Sequence, residues 1–503
     1  GGIEFDCPTD LEWSPAVFRK AIQLVPGEER TEFRINLVTA PRPLDAPTTF
    51  SFAFYVTPVK PRPPDWRARI VGDSLLGVID RDPLRRVVDR FDADRWLFHT
   101  FRPGPGRSLP LRIPGMPWPP ETPEQKSRHE EIRALWRQNG IRAIPYSGLQ
   151  GMHGRIPELQ RYARWWLEDP DGPGRPLAVD WQKDVDGTKE TSLEPDAMYR
   201  VHLYPKSIRD FLVWTFVRAA ETHGYEGVYF DLVDAHGNVE NPAASAVDLA
   251  GTERKRYRPI YEKRDFYLRL YRALKARRPD ALITHHHGKG SYLDAAFTDV
   301  VYSGEGMNAV FLRHGLDRAA EGTLTGDIAP YVPDYSLFPA DYWQAVYGPA
   351  RGCTDVIIPH LIKWNPIWSR QLGVRAFSGK EQIRWYRDHP EQRARDNRCM
   401  LARTLVLQLP LVRTRMDTAL FDRLAVMFQE FGGLAPPLTV HGLERTGRWL
   451  ADAGRSRLRA VAFVRPDAGA VVIFANWTDE DLTETLRLRP EALGIRRQGP
   501  SRV

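Results

Sequence analysis

The sequence predicts an α/β chain: a (β/α)8 TIM barrel with a partial β-sandwich before it and a small antiparallel β domain after it. Three observations predict this. Apolar runs that end in polar residues alternate with amphipathic helical stretches at least six times over about 340 residues, the pattern of a parallel sheet covered by helices. The chain has 503 residues, and a barrel of about 250 leaves room for accessory domains. At both ends the pattern changes to the period-two alternation of strands with one buried face. A doubly wound sheet is the competing architecture. Against it, no G-x-G-x-x-G follows the early strands and GxxxxGK[ST] is absent, so neither dinucleotide nor P-loop phosphate binding is supported.

TEFRINLVTA and TTFSFAFYV, from Thr31 to Val56, alternate apolar and polar residues around the proline-rich APRPLDAP, and are expected to form a hairpin of the sandwich. PVKPRPPDWR (58–67) forbids helix and central strand alike and reads as a stiff connector. The N-terminal domain is therefore expected over 1–65 and the barrel over 66–435. Within the barrel, RWLFHT (95–100) leads to a helix, EQKSRHEEIRALWRQNG, with Ile132, Leu135 and Trp136 on one face and Asn139-Gly140 as its stop, then to the strand IRAIPYSG (141–148). A second helix starts at Pro205, carries Ile208, Phe211, Leu212, Phe216, Ala219 and Ala220 at helical spacing, and ends at Gly224. It feeds GVYFDLV (227–233). A third, over 262–278 with Tyr267, Leu270, Tyr271 and Leu274 inward, feeds ALITHHH (281–287); TDVVYSGEG (298–306) and TDVIIPHLI (354–362) follow. RSRLRAVAFV and GAVVIFANW read as antiparallel strands of a C-terminal domain over 436–503.

A formal charge of +7 comes from scattered arginines, without the aromatic-interleaved basic stripe that nucleic-acid binding calls for. The three cysteines, Cys7, Cys353 and Cys399, form no CxxC pattern, so neither a zinc site nor a disulfide framework is indicated. No run of about 18 apolar residues exists to span a membrane. The chain opens GGIEFD, and a secreted or periplasmic protein with its leader absent from this chain is one expectation; a homo-oligomer is another. No cofactor is called for. The 15 Trp and 18 Tyr suit a cleft that packs on the C–H faces of sugar rings.

In a barrel the chemistry sits where strands end, so the polar residues closing each apolar run are the candidates. Asp231 interrupts a strongly apolar strand, where an unpaired charge is costly to bury, and Asp234, His236 and Asn238 follow it. Glu305 stands between two glycines, which permit an unusual backbone and leave room beside the carboxylate. If the strand at 227–233 is the fourth and that at 298–303 the sixth, the two acids flank the barrel mouth. That separation is compatible with glycosidic carboxylate pairs, about 5–5.5 Å apart for retention and about 6.5–9.5 Å for inversion. In THHHGKGSY, alternation sends His285 and His287 to one side and His286 to the other, which disfavours one metal held by all three and suggests donors to sugar hydroxyls. His360, Lys363 and Trp364 of PHLIKWNPIW are further substrate contacts, and His99 and Tyr146 complete the pocket. Nothing resembles G-x-S-x-G or a Cys–His nucleophile, so acyl transfer has no support.

FAFYVTPVKPRPPDWR followed by the strand LFHTFRP resembles the junction of glycoside hydrolase family 123-like proteins. The resemblance implies an N-terminal β-sandwich ahead of a catalytic barrel and a hexosaminidase-type activity. That family uses an adjacent Asp-Glu pair with the substrate's acetamido group as nucleophile, whereas this chain reads FDLVDAHGN. An Asp on one strand and an acid two strands on is similar to the retaining α-galactosidase layout, which implies Asp231 as nucleophile and Glu305 as general acid/base. The expectation is thus a retaining, exo-acting glycoside hydrolase on an oligosaccharide or glycoconjugate, with His285, His287, His360 and Trp364 lining the sugar subsite. Two alternatives are a substrate-assisted N-acetylhexosaminidase, with Asp234 orienting the acetamido group, and a non-catalytic saccharide-binding or scaffold protein.

Overall fold

The computed structural model describes residues 2–6, 22–36, 53–57, 60–62, 70–72, 96–100, 141–168, 198–231, 244–247, 253–254, 260–287, 295–304, 307–323, 334–347, 352–357, 379–412, 418–434, 437–453 and 457–495, apart from a few single positions inside these spans, together with Asn241 and four positions between 123 and 134. Its centre is a sheet of eight strands: β1 Ile70–Gly72, β2 Trp96–Thr100, β3 Ile141–Gly148, β4 Gly227–Asp231, β5 Leu282–His287, β6 Val300–Ser303, β7 Thr354–Ile357 and β8 Leu411–Val412. The order is β7-β6-β5-β4-β3-β2-β1-β8, and every ladder in it is parallel. The strands thus follow one another in sequence order, and the last pairs with the first. Strands β6 and β7 are buried at every position, as expected of a parallel sheet covered on both faces.

The helices between the strands account for one of those faces. Helix α1 (Pro157–Trp166) and α2 (Lys206–His223) lie between β3 and β4, and α3 (Ile260–Arg277) between β4 and β5. Helix α2 buries Ile208, Leu212, Phe216, Ala219 and Ala220 on one stripe and stops at Gly224, whose φ of 64° closes the left-handed C-cap that glycine adopts without strain. Helix α3 buries Phe266, Tyr267, Leu270 and Leu274. Phe230 of β4 is the hub between them, with ring centroids 4.7 Å from Phe216, 5.7 Å from Phe266 and 5.8 Å from Tyr267. The even-numbered positions of β3, β5 and β6 belong to the opposite face. There Ile144, Tyr229, Leu282, Val300, Tyr302 and Val356, from five neighbouring strands, form a separate apolar cluster. We call this the inner face.

Helices α4 (Met307–Ala320), α5 (Ala340–Tyr347), α6 (Gly379–Asp388), α7 (Pro390–Val406) and α8 (Thr418–Glu430) continue the covering layer. Behind α7 and α8 stands a three-stranded antiparallel sheet, β9 (Thr439–His441), β10 (Leu458–Arg465) and β11 (Gly469–Asn476), whose last two strands are those read from the sequence. Strand β10 sends Val461 and Phe463 into the same core as Met400, Leu401 and Phe428. Its alternate residues Ala460, Ala462 and Val464 pack on Trp449, Leu450 and Leu493. Arg403 of α7 is buried with its guanidinium 5.1–5.4 Å from the rings of Tyr335, Trp343 and Trp477. The core therefore runs unbroken across the expected boundary at 435.

The N-terminal part departs from expectation in its pairing. Thr31–Ile35 and Ala53–Thr57 are both strands, yet they do not pair with each other. The first pairs with Ile22–Pro26 and the second with Gly2–Asp6, giving two antiparallel two-stranded sheets. The turn at Gly27 explains the choice. Its N–H donates to the Arg30 carbonyl at 2.8 Å, and closing this short loop costs less chain entropy than closing the proline-rich one.

Residues 60–62, within the expected connector, are held at the N-terminal ends of β6 and β7. Lys60 Nζ lies 3.4 Å from Asp299, which Lys275 also approaches at 3.0 Å, and Arg62 lies 3.4 Å from Asp355. Asp299 further accepts the Ile283 backbone N–H at 2.9 Å. Gly352, at φ 77°, leaves the Lys60 carbonyl so close that a Cβ would stand 2.1 Å from its oxygen.

Candidate functional site

The ladders assign the predicted site positions to faces, because residues opposite one another on neighbouring strands share a side of the sheet. His99 of β2 stands opposite Ile144, an inner-face residue. Tyr146 of β3 stands opposite Tyr229, also of the inner face. Asp231 closes β4 opposite Gly148. His99, Tyr146 and Asp231 therefore occupy inner-face positions, on three adjacent strands. Among the described strands of the sheet, Asp231 ends the fourth and Glu305 follows the sixth by two residues, with β5 between them.

The three histidines of β5 divide as alternation requires. His285 stands opposite Phe230 and Val301, and its ring meets Tyr267 of α3 at 5.6 Å, edge to face. It is fully buried, with Nδ1 3.4 Å from the Thr298 hydroxyl. His285 thus belongs to the layer between sheet and helices, away from the inner face. Position 287 falls on its side. His286 is on the other side, opposite Tyr302, and is half-buried. One step beyond the last β4–β5 ladder pair, Phe230–His285, it stands level with Asp231. The row across the C-terminal ends is then Gly148, Asp231, His286, Tyr302 and Val356. One pleat below, Tyr229 lies 5.5 Å from Tyr302, ring to ring. His286 is the residue that reading the sequence passed over. The signal was present in the even spacing from Leu282 to His286, but only the packing tells which parity faces inward.

The glycine that ends β6 has the unusual backbone its sequence setting suggests. Gly304 has φ 114°, outside the range of ordinary side-chain-bearing residues, and its carbonyl accepts the Met307 N–H at 2.9 Å to start α4. Glu305 itself lies outside the described residues, as do Asp234, His360, Lys363 and Trp364.

The segment between β3 and β4 forms a small antiparallel unit of its own, called the rim below. Gly151–His153 pairs antiparallel with Met198–Arg200, and the pairing extends through Leu167 and Val201. Asn241, beyond the end of β4, is buried and donates to the carbonyls of Arg164 at 3.0 Å and Leu167 at 2.7 Å. Two titratable groups sit in this rim. Burial pushes the Glu168 carboxyl up to about 7, against the pull of Arg200, whose Nη1 is 3.9 Å away. Burial drives His202 down to about 4. Among the described residues no group of three or more His, Cys, Asp or Glu side chains could hold a metal ion.

No family model matches the chain, and neither does any curated protein. Solved structures do. A GH36 α-galactosidase of Geobacillus stearothermophilus aligns at TM-score 0.39 and 10% identity, over 81% of this chain and 47% of its own. The α-galactosidase of Thermus thermophilus aligns at 0.35 and 15%, over 76% and 65%. The trehalose-6-phosphate hydrolase of Bacillus licheniformis aligns at 0.37 and 10%, over 58% and 57%. The chain spans between 52% and 58% of the length of the first three solved structures it matches. No described helix is long and apolar enough to cross a membrane.

Proposed function

We propose that the sheet closes as a (β/α)8 barrel and that the chain is a retaining glycoside hydrolase working at the C-terminal ends of β4 to β6. The observation that carries this is the strand order, with Asp231 at an inner-face position ending β4, Glu305 just past β6, and one strand between. Carboxylates so placed can reach the two sides of one glycosidic bond. In this reading Asp231 is the ionised nucleophile and Glu305 the general acid/base. His99 and Tyr146 line the pocket from β2 and β3, and Asp234, His360, Lys363 and Trp364 bound it from the loops.

The chemistry assigns separable defects to the two acids. The nucleophile forms the bond to the anomeric carbon, so its loss affects every substrate. The acid protonates the departing oxygen, so its loss matters most when the leaving group is a poor one. A panel of nitrophenyl glycosides identifies a substrate. Asp231→Asn is then expected to lose turnover on all leaving groups, whereas Glu305→Gln keeps more of its first step on nitrophenyl than on alkyl glycosides. Near-wild-type turnover in both variants would remove the assignment. Activity confined to 2-acetamido glycosides would select the substrate-assisted route with Asp234, and binding without turnover would select a saccharide-binding protein.

A further inference from the structure

We infer that His286 grips a hydroxyl of the sugar ring bound against Asp231, which makes it a specificity-determining residue; the inference rests on the glycosidase reading above. Three features of the row support it. Asp231 and His286 end neighbouring strands at the same level, where backbones run about 4.8 Å apart, so one small ring can touch both. On the far side of Asp231 the row holds Gly148, which contributes no side chain and leaves room for the ring. Tyr302, beside His286, and Tyr229 below it put two tilted aromatic rings, centroids 5.5 Å apart, at the base of the row. Aromatic carbon with polar groups at its edge suits a pyranose, whose C–H face is apolar and whose rim is hydroxyl. An imidazole suits the rim, since its two nitrogens can donate to one hydroxyl and accept from another. His285, one residue earlier, fills the structural position under Tyr267, which leaves His286 as the histidine of β5 at the inner face within the described residues.

The test uses the full chain, the nitrophenyl glycoside that it cleaves, and the set of that glycoside's monodeoxy analogues. His286→Ala is expected to lower kcat/KM on the parent sugar about tenfold to a hundredfold, with His286→Gln between the two because its amide also donates. On one deoxy analogue, the one lacking the gripped hydroxyl, wild type and His286→Ala should become equal. A purely structural role cannot produce that convergence, and would lower all analogues together. Unchanged kcat/KM in His286→Ala, or an equal loss on every analogue, overturns the inference and leaves the assignment of Asp231 standing. A wild-type chain that cleaves no glycoside overturns both.

Discussion

The two ends of the parallel sheet are built on opposite terms. At the N-terminal end the buried carboxylates meet cations, Asp299 with Lys60 and Lys275 and Asp355 with Arg62. At the C-terminal end the row Gly148, Asp231, His286, Tyr302 and Val356 contains no lysine or arginine. Charges balanced by fixed partners, as at the N-terminal end, hold a fold together. Stability is expected to reside at one end and chemistry at the other.

The largest test of that division is Asp231→Asn. It is expected to reduce kcat by about a thousandfold or more, ~4 kcal/mol of transition-state stabilisation, with the thermal midpoint nearly unmoved. The converse is Asp299→Asn at the opposite end, which leaves Lys60 and Lys275 without their shared counter-charge. Both partners of the Lys60–Asp299 pair are largely buried, at 17% and 8% side-chain exposure. Chemical denaturation should show a loss of about 3 kcal/mol, with kcat/KM per folded molecule unchanged. If Asp299→Asn instead lowered turnover in stable protein, the division would fail.

The rim sharpens the comparison, because it is polar yet buried, and its two groups pull stability in opposite directions. Glu168 has a folded pKa of about 7, above its unfolded value, so the folded state holds the proton longer and stability falls as pH rises towards 7. His202, at about 4 and below its unfolded value, resists protonation in the fold, so stability falls as pH drops from 6.5 towards 4. The two slopes nearly cancel between roughly pH 4.5 and 6.5. Glu168→Gln removes one of them. At pH 8 it should stabilise the chain by about 1–3 kcal/mol relative to wild type, and at pH 4 by little. A stability difference that does not change with pH would show that Glu168 is not desolvated. The smallest effect belongs to the exposed surface. Lys206→Ala removes an i,i+4 pair with Asp210, 2.7 Å long and 73% and 43% exposed, and should cost under about 0.5 kcal/mol.

Sequence pattern located what local chemistry determines. Strand β3 has the bounds read from IRAIPYSG, and α2 stops at Gly224 as its composition indicates. Strands β1 and β8, three and two residues long, are too short to show any period, and neither was found. Two of the four described N-terminal strands are legible in the sequence but not their partners, since alternation says nothing of pairing. The same limit applies to the site. Alternation sorted the β5 histidines into two classes correctly, but Phe230 against Phe216 and Phe266 decides which class faces the helices. The rim was invisible because its burial comes from distant contacts, such as the bond from Asn241 to Leu167, 74 positions apart.

The seat of the Lys60 carbonyl against Gly352 bears on how this chain can be cut and recombined. By sequence the accessory module stops at 65, yet residues 60–62 are fastened to Asp299 and Asp355. A gene trimmed to begin at Lys60 would carry the sheet's own fastening with it, whereas one trimmed to begin at Trp66 would strip counter-charges from two buried acids. For module exchange the natural crossover lies upstream of Lys60, in the few codons after Thr57, and homologous grafts joined there should inherit an intact foundation.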